Sequence, residues 1–228
     1  KKKKKKPKKK KLKKSKKKPV KRKPGKTKIL AAGDIHGDKG LVKKLANKAK
    51  KEKVDMIIIA GDLTMWEDET KNLVGPFVKL KKPVLLLHGN HESVATIDFL
   101  SELYSPIAKN LHGYSITSQD GKVGVFGTGG ADFGLSAMTE KEFYKTLAKA
   151  HKGIKNVKHK IMVTHMHPFK SKAEFSGFEG SKGIRKAITK FKPEIVLSGH
   201  IHEAEGIEEK IGKTKLIQIG KKGKIIEI

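Results

Sequence analysis

The chain contains no cysteine among its 228 residues. That absence excludes a disulfide framework, a thiolate zinc site and a cysteine nucleophile together, and it fits a reducing compartment. Long apolar runs are missing too. No segment approaches the ~20 residues with which a helix crosses a bilayer, and the charged N-terminus lacks the apolar stretch of a secretory signal. A soluble, cytoplasmic protein with no transmembrane segment is the expectation. The chain opens on Lys1 without an initiator methionine, as a fragment or processed product would.

Acid is absent from residues 1–28, which hold 20 of the 53 Lys and Arg residues, so most of the net charge of +30 belongs to this tail. The remainder carries 33 basic against 23 acidic side chains and is only moderately basic. Self-repulsion and the lack of buriable groups predict disorder for the tail. It reads as a solvated extension, as a grip on nucleic-acid phosphates, which would release their counterions, or as a segment read by an anionic membrane surface or a nuclear import receptor. Residues 29–228, with 36% of the chain hydrophobic, have the length and composition of one domain.

Within that domain five polar motifs follow one another: Gly33-Asp34-Ile35-His36, Gly61-Asp62, Gly89-Asn90-His91-Glu92, Thr164-His165 and Gly199-His200-Ile201-His202. Each ends a short apolar run, such as Ile57-Ile58-Ile59-Ala60 or Val84-Leu85-Leu86-Leu87, that reads as a buried strand. Ligands of open α/β sheets bind beyond the carboxyl ends of the strands, so the five clusters are expected to meet. Helical periodicity or flanking signals predict helices near 39–51, 70–81, 94–104, 139–150 and 181–190. Asp120-Gly121 predicts a hairpin between segments near 114–118 and 122–127. Residues 168–180 read as loop, and segments near 205–209, 214–219 and 224–228 as closing antiparallel strands. An α/β fold follows, with either one mixed sheet or two stacked sheets with helices outside.

The donor chemistry points to metal. Asp62 stands alone after its strand and is the candidate bridge between two cations. Asp34 and His36, alternate residues, reach one ion if the chain bends, and Gly33 and Gly37 permit a bend. Asn90 offers an amide oxygen, and His165, His200 and His202 offer imidazoles. Two carboxylates, one amide and four imidazoles are too rich in nitrogen for Mg²⁺ or Ca²⁺. Two divalent transition-metal ions are expected, Mn first, then Fe or Zn. Such a pair supplies a bridging hydroxide to attack a phosphate ester, and His91 is placed to protonate the leaving group.

In order and type these motifs resemble the calcineurin-like phosphoesterases (metallophosphoesterases), and the resemblance covers residues 28–220. It implies two stacked mixed β-sheets flanked by helices, a four-layer α-β-β-α sandwich. It also implies one ion on Asp34, His36, Asp62 and His202, the other on Asp62, Asn90, His165 and His200, and His91 as the proton donor. The protein serine/threonine phosphatases of this superfamily carry an aspartate and arginine after the second motif and an arginine before the third. Here those stretches read Leu63-Thr64-Met65-Trp66 and His88-Gly89, which argues against phosphoprotein substrates and leaves His91 without its usual aspartate partner. The C-terminal half is similar to small prokaryotic, especially archaeal, phosphoesterases related to cyclic-nucleotide phosphodiesterases, with Gln218-Ile219-Gly220 in place of their asparagine-proline-glycine. A phosphate-ester small molecule or nucleotide is the expected substrate. Rival readings are a non-catalytic scaffold and a nucleic-acid-binding protein acting through the tail.

Simpler roles are set beside these. Asp34 and Asp62 both precede helical segments and can cap them. His88 and His167 read as supporting or packing residues, and His112, His151 and His159 as surface residues. Packing is the expected role of Trp66, Phe169, Phe175 and Phe178.

Overall fold

The computed structural model describes residues 26–228; the expected tail lies outside them up to residue 25. Its last residue, Lys28, is the first residue of a strand. Four strands, β1 (Lys28–Ala32), β2 (Met56–Ala60), β3 (Val84–Leu87) and β4 (Ala108–Asn110), run parallel, and β11 (Lys224–Glu227) joins antiparallel to β1. The second sheet orders β5 (Ser115–Thr117), β6 (Val123–Thr128), β7 (His159–Thr164), β8 (Ile195–Ser198), β10 (Thr214–Gln218) and β9 (Glu208–Ile211). Here β6, β7, β8 and β10 are mutually parallel, while β5 and β9 are antiparallel edges.

The alternation of side chains along each strand builds three apolar layers. Ile29, Ala31, Ile58, Ala60, Leu85 and Leu87 point from the first sheet onto Val125, Ile161, Val163, Leu197 and Ile217 of the second. Their neighbours Leu30, Ala32, Ile57, Ile59 and Leu86 point outward onto Val42, Leu45 and Ala49 of α1 (Lys39–Glu52), Phe77 of α2 (Gly75–Val78) and Ile97 of α3 (Val94–Leu103). On the far side Phe126, Met162, Val196 and Leu216 meet Phe143 and Leu147 of α4 (Glu140–Lys152) and Ile184 and Ile188 of α5 (Lys182–Phe191). Strands buried on both faces explain the unbroken apolar runs. The result is the four-layer α-β-β-α sandwich. Among the described residues no helix is long and apolar enough to cross a membrane.

Helix entries are capped as their sequences dictate. Asp38 caps α1, Thr139 and Glu142 form a reciprocal capping box on α4, and Ser181 caps α5. The structure departs from the sequence reading in four elements. The helix expected over 70–81 shrinks to the single turn Gly75–Val78, because Pro76 lacks an amide hydrogen and fits only its first turn, while Asn72 and Lys81 adopt left-handed φ of 65° and 55° on either side. A short 3-10 turn, Lys172–Ser176, occupies part of the expected loop. Strand β4 follows α3 unforeseen, three residues being too few to show a period. The closing strands are not one antiparallel set: β10 pairs parallel to β8, and β11 crosses to the other sheet.

Candidate metal centre

Strands β1, β2 and β3 lie side by side in one sheet and β7 and β8 side by side in the other, so all five motifs leave carboxyl ends at one edge of the sandwich. The loops are laced together there. Asp34 N–H donates to Gly61 O at 3.1 Å, His36 N–H to Asp62 O at 2.8 Å and Gly37 N–H to Leu63 O at 2.9 Å. Asp62 Oδ1 accepts from the backbone of Asn90 (2.9 Å) and His91 (3.1 Å). Its other oxygen, Oδ2, faces the Nε2 atoms of His165, His36 and His91 at 3.4, 3.7 and 3.9 Å. Gly89 makes this approach possible, since a Cβ there would sit on the Asp62 carboxylate. Gly61, at φ +93°, is the second obligatory glycine: a Cβ there would strike His165 Nδ1.

The expected bend at the first motif is carried differently from the sequence reading. Gly37 turns left-handed as expected (75°), but Gly33 keeps a negative φ, and the further left-handed turns fall on Asp34 (54°) and His36 (48°) themselves. Asp62 (49°) and His200 (73°) share that conformation. For side chains other than glycine it is sparsely populated and costs about 1–3 kcal/mol each, a strain that concentrates at functional sites. Helix capping explains none of it, because Asp38 caps α1 and neither Asp34 nor Asp62 caps a helix.

Three donor groups result, each with ligand atoms within 4.8 Å of one another: Asp34, His36 and His202; His36, Asp62 and His91; and Asp62, His165 and His200. His36 and His202 bring their Nε2 atoms within 3.1 Å, and His165 Nε2 lies 3.1 Å from Asn90 Oδ1. His165 Nδ1–H donates to Ala60 O at 2.9 Å, which turns Nε2 toward Asp62 and Asn90. Asp34 Oδ1 accepts from the His200 backbone at 3.1 Å, whereas its buried Oδ2 has no hydrogen-bond partner. Buried acceptors that face one another without donors are the arrangement a cation satisfies.

Protonation is tuned accordingly. Burial lowers His36 to about 4 and His200 to about 3, so both are neutral at pH 7, as ligation requires. Burial pushes Asp34 up to about 6. Burial would also raise Asp62, but the charge and hydrogen bond of His165 and the loop amides hold it well below the carboxylate range. Burial opposes a charge on His165, yet the Asp62 carboxylate outweighs it and raises the imidazole to about 9. A cation between the two would displace that proton.

Sequence reasoning passed over Glu92, which holds the second and third motifs together. Fully buried, its Oε1 accepts from Leu63 N (3.1 Å) and Gly89 N (2.9 Å), and its Oε2 from Thr64 N (3.1 Å) and Thr64 Oγ1 (3.2 Å). The signal was a carboxylate directly after the motif, with only apolar and hydroxyl residues at 63–64 to receive it. His88 is wholly buried and packs its ring 4.6 Å from that of His112. His112 is therefore half-buried instead of surface, and its Nδ1 accepts from Gly129 N. His151 is also half-buried, stacked on Phe191, and His159 pairs with Glu194 at 2.7 Å. His167 is buried, donates to Phe178 O and stacks beside His200. Packing fails as the account of Trp66, Phe175 and Phe178, which are exposed by 51%, 62% and 60%. Phe169 is partly buried between the ammonium groups of Lys170 and Lys182.

The calcineurin-like phosphoesterase family model matches residues 27–204. The chain belongs to this family of dinuclear metal-dependent phosphoesterases. No curated protein matches it in sequence. Among solved structures it is similar to a Thermus thermophilus protein (19% identity over 85% of this chain and 89% of that one, TM-score 0.69). It is also similar to an archaeal phosphodiesterase (15%, 89% and 99%, 0.50) and a Danio rerio dimetal phosphatase (9%, 86% and 88%, 0.57). At such identities the likeness speaks for the fold alone.

Proposed function

We propose that the chain hydrolyses a phosphodiester or phosphomonoester, a nucleotide-type ester in preference, with Asp34, His36, Asp62 and His202 holding one cation and Asp62, Asn90, His165 and His200 the other. The observation that carries the reading is the placement of Asp62. One oxygen is spent on two loop amides, and the other lies between donors from both sheets. Two carboxylates, an amide and four imidazoles fit Mn, Fe or Zn, with Mn first. When bound, two such ions neutralise phosphoryl oxygens and acidify water.

His91 is the proton donor in this reading. Its Nε2 is the farthest of the three imidazoles from Asp62 Oδ2, and its side chain is 18% exposed while that of His165 is buried. It thus faces outward, where a leaving oxygen would stand. Its buried Nδ1 has no hydrogen-bond partner, in keeping with the missing aspartate after the second motif. Thr64 and Glu92 fix the backbone on either side: Thr64 Oγ1 lies 3.5 Å from His91 O and 3.2 Å from Glu92. Among the described residues no arginine is free to grip a second anionic group, since Arg185 is engaged with Phe169 O and Lys170 O. The test is a Mn²⁺-supplemented panel of nitrophenyl phosphate, bis-nitrophenyl phosphate, cyclic nucleotides and short oligonucleotides. Turnover of the esters, abolished by chelator and restored by Mn²⁺, is expected; inactivity on every member contradicts the reading.

A further inference from the structure

Large apolar side chains left in solvent are usually scattered singly, but three aromatic ones gather at this centre. Trp66, 51% exposed, lies with its ring 4.2 Å from that of His91. Phe133, 47% exposed, stands 5.5 Å from the His200 ring. Phe133 and Phe178, the latter 60% exposed, line a cavity of about 210 Å³ together with Asp62, Asn90, His91 and His200. The three come from different loops, after β2, β6 and β7, so their meeting is not a product of local sequence.

The Trp66 loop is also held in place at a conformational cost. Trp66 and Glu67 both adopt left-handed φ, 53° and 64°. Glu67 Oε1 fixes them to the start of α3 by accepting from Ser93 N at 2.7 Å, Ser93 Oγ at 2.6 Å and Thr96 Oγ1. Glu67 N–H donates in turn to Thr64 Oγ1 at 3.3 Å. The strained segment is thus staked at several points and holds the indole in solvent beside the proposed proton donor. Phe178 is tethered likewise through its carbonyl oxygen, which accepts from His167.

We infer that Trp66, Phe133 and Phe178 form a stacking subsite for a planar ring on the substrate, Trp66 on the leaving-group side and the phenylalanines across the cavity, so that the preferred esters are of nucleoside type. This rests on the phosphoesterase reading and deepens it. Stacking on aromatic side chains tolerates any base, because every base has a π-face, so the subsite selects for a ring and not for a particular sequence.

Trp66 is the sole tryptophan, so its fluorescence reports the subsite directly. The Zn²⁺-loaded full chain is titrated with adenosine monophosphate and, as the ring-free control, ribose phosphate. Adenosine monophosphate is expected to quench saturably and to bind about tenfold more tightly than ribose phosphate. Phe133→Ala and Phe178→Ala should each narrow that ratio several-fold. Equal affinity for the two ligands, or binding of the nucleotide without a change in emission, overturns the subsite while leaving ester turnover intact. Absence of turnover on every ester of the Mn²⁺-supplemented panel overturns the underlying reading instead.

Discussion

At the scale of single residues, the ligand motifs were legible because their chemistry is carried by residue type and order. His91 is the sharpest test of role. His91→Ala should retain bound metal by elemental analysis yet lose about 10²–10⁴ in turnover, more for alkyl esters than for nitrophenyl esters. Equal losses on both would deny it the proton. Glu92 was not legible, since its role depends on which amides the fold delivers to it. Either terminal oxygen receives two donors, so Glu92→Gln must aim an amide N–H at another donor. A loss of about 2–3 kcal/mol in denaturant unfolding is expected. Burial, then the Asp62 charge, raises Glu92 to about 7. The native carboxyl holds its proton longer than the unfolded one, so this group's contribution to stability falls as pH rises from about 4.5 to 7. The Gln variant should lose that slope; an unchanged slope would show that the titration belongs elsewhere.

Among the elements, strands β1, β2, β3, β7 and β8 and four of the five helices could be read from apolar runs and helical period. What escaped was decided by neighbours. The second helix shrank around Pro76, β4 exists only because β3 offers it an edge, and β11 leaves its expected companions to cover β1. The α4–α5 junction shows the same dependence. Ser181 Oγ accepts from Ile184 N at 3.1 Å and donates to Glu140 Oε2 at 2.7 Å, so one hydroxyl caps α5 and ties it to α4. Ser181→Ala should lower stability by about 1–2 kcal/mol, read as a shifted unfolding midpoint. A shift within error would mean that packing alone holds the junction.

For the whole molecule, the two-sheet sandwich puts motifs spread over residues 33–202 on one edge. Apolar runs alone left open whether one sheet or two would form, because they do not say which sheet a strand joins; the order of the motifs, through the family it resembles, implied two. The boundary of the tail is also set by the fold. Lys28 pairs with Glu227, and Thr27 exchanges backbone hydrogen bonds with Ile228, so a truncation must end at residue 25. Deleting residues 1–25 should leave nitrophenyl ester turnover within about twofold. If the tail is the grip on nucleic acid that its charge suggests, the deletion should also remove that binding together with its steep salt dependence. Binding that survives with its salt slope would place the contact on the folded domain.

The central claim is that Asp62 stands between two cations held by both sheets. Anomalous scattering from crystals grown with Mn²⁺ tests it directly. The account predicts two peaks about 3.5–4 Å apart, one against Asp34, His36 and His202, the other against Asn90, His165 and His200, both touching Asp62. A single peak, or peaks away from Asp62, would contradict it.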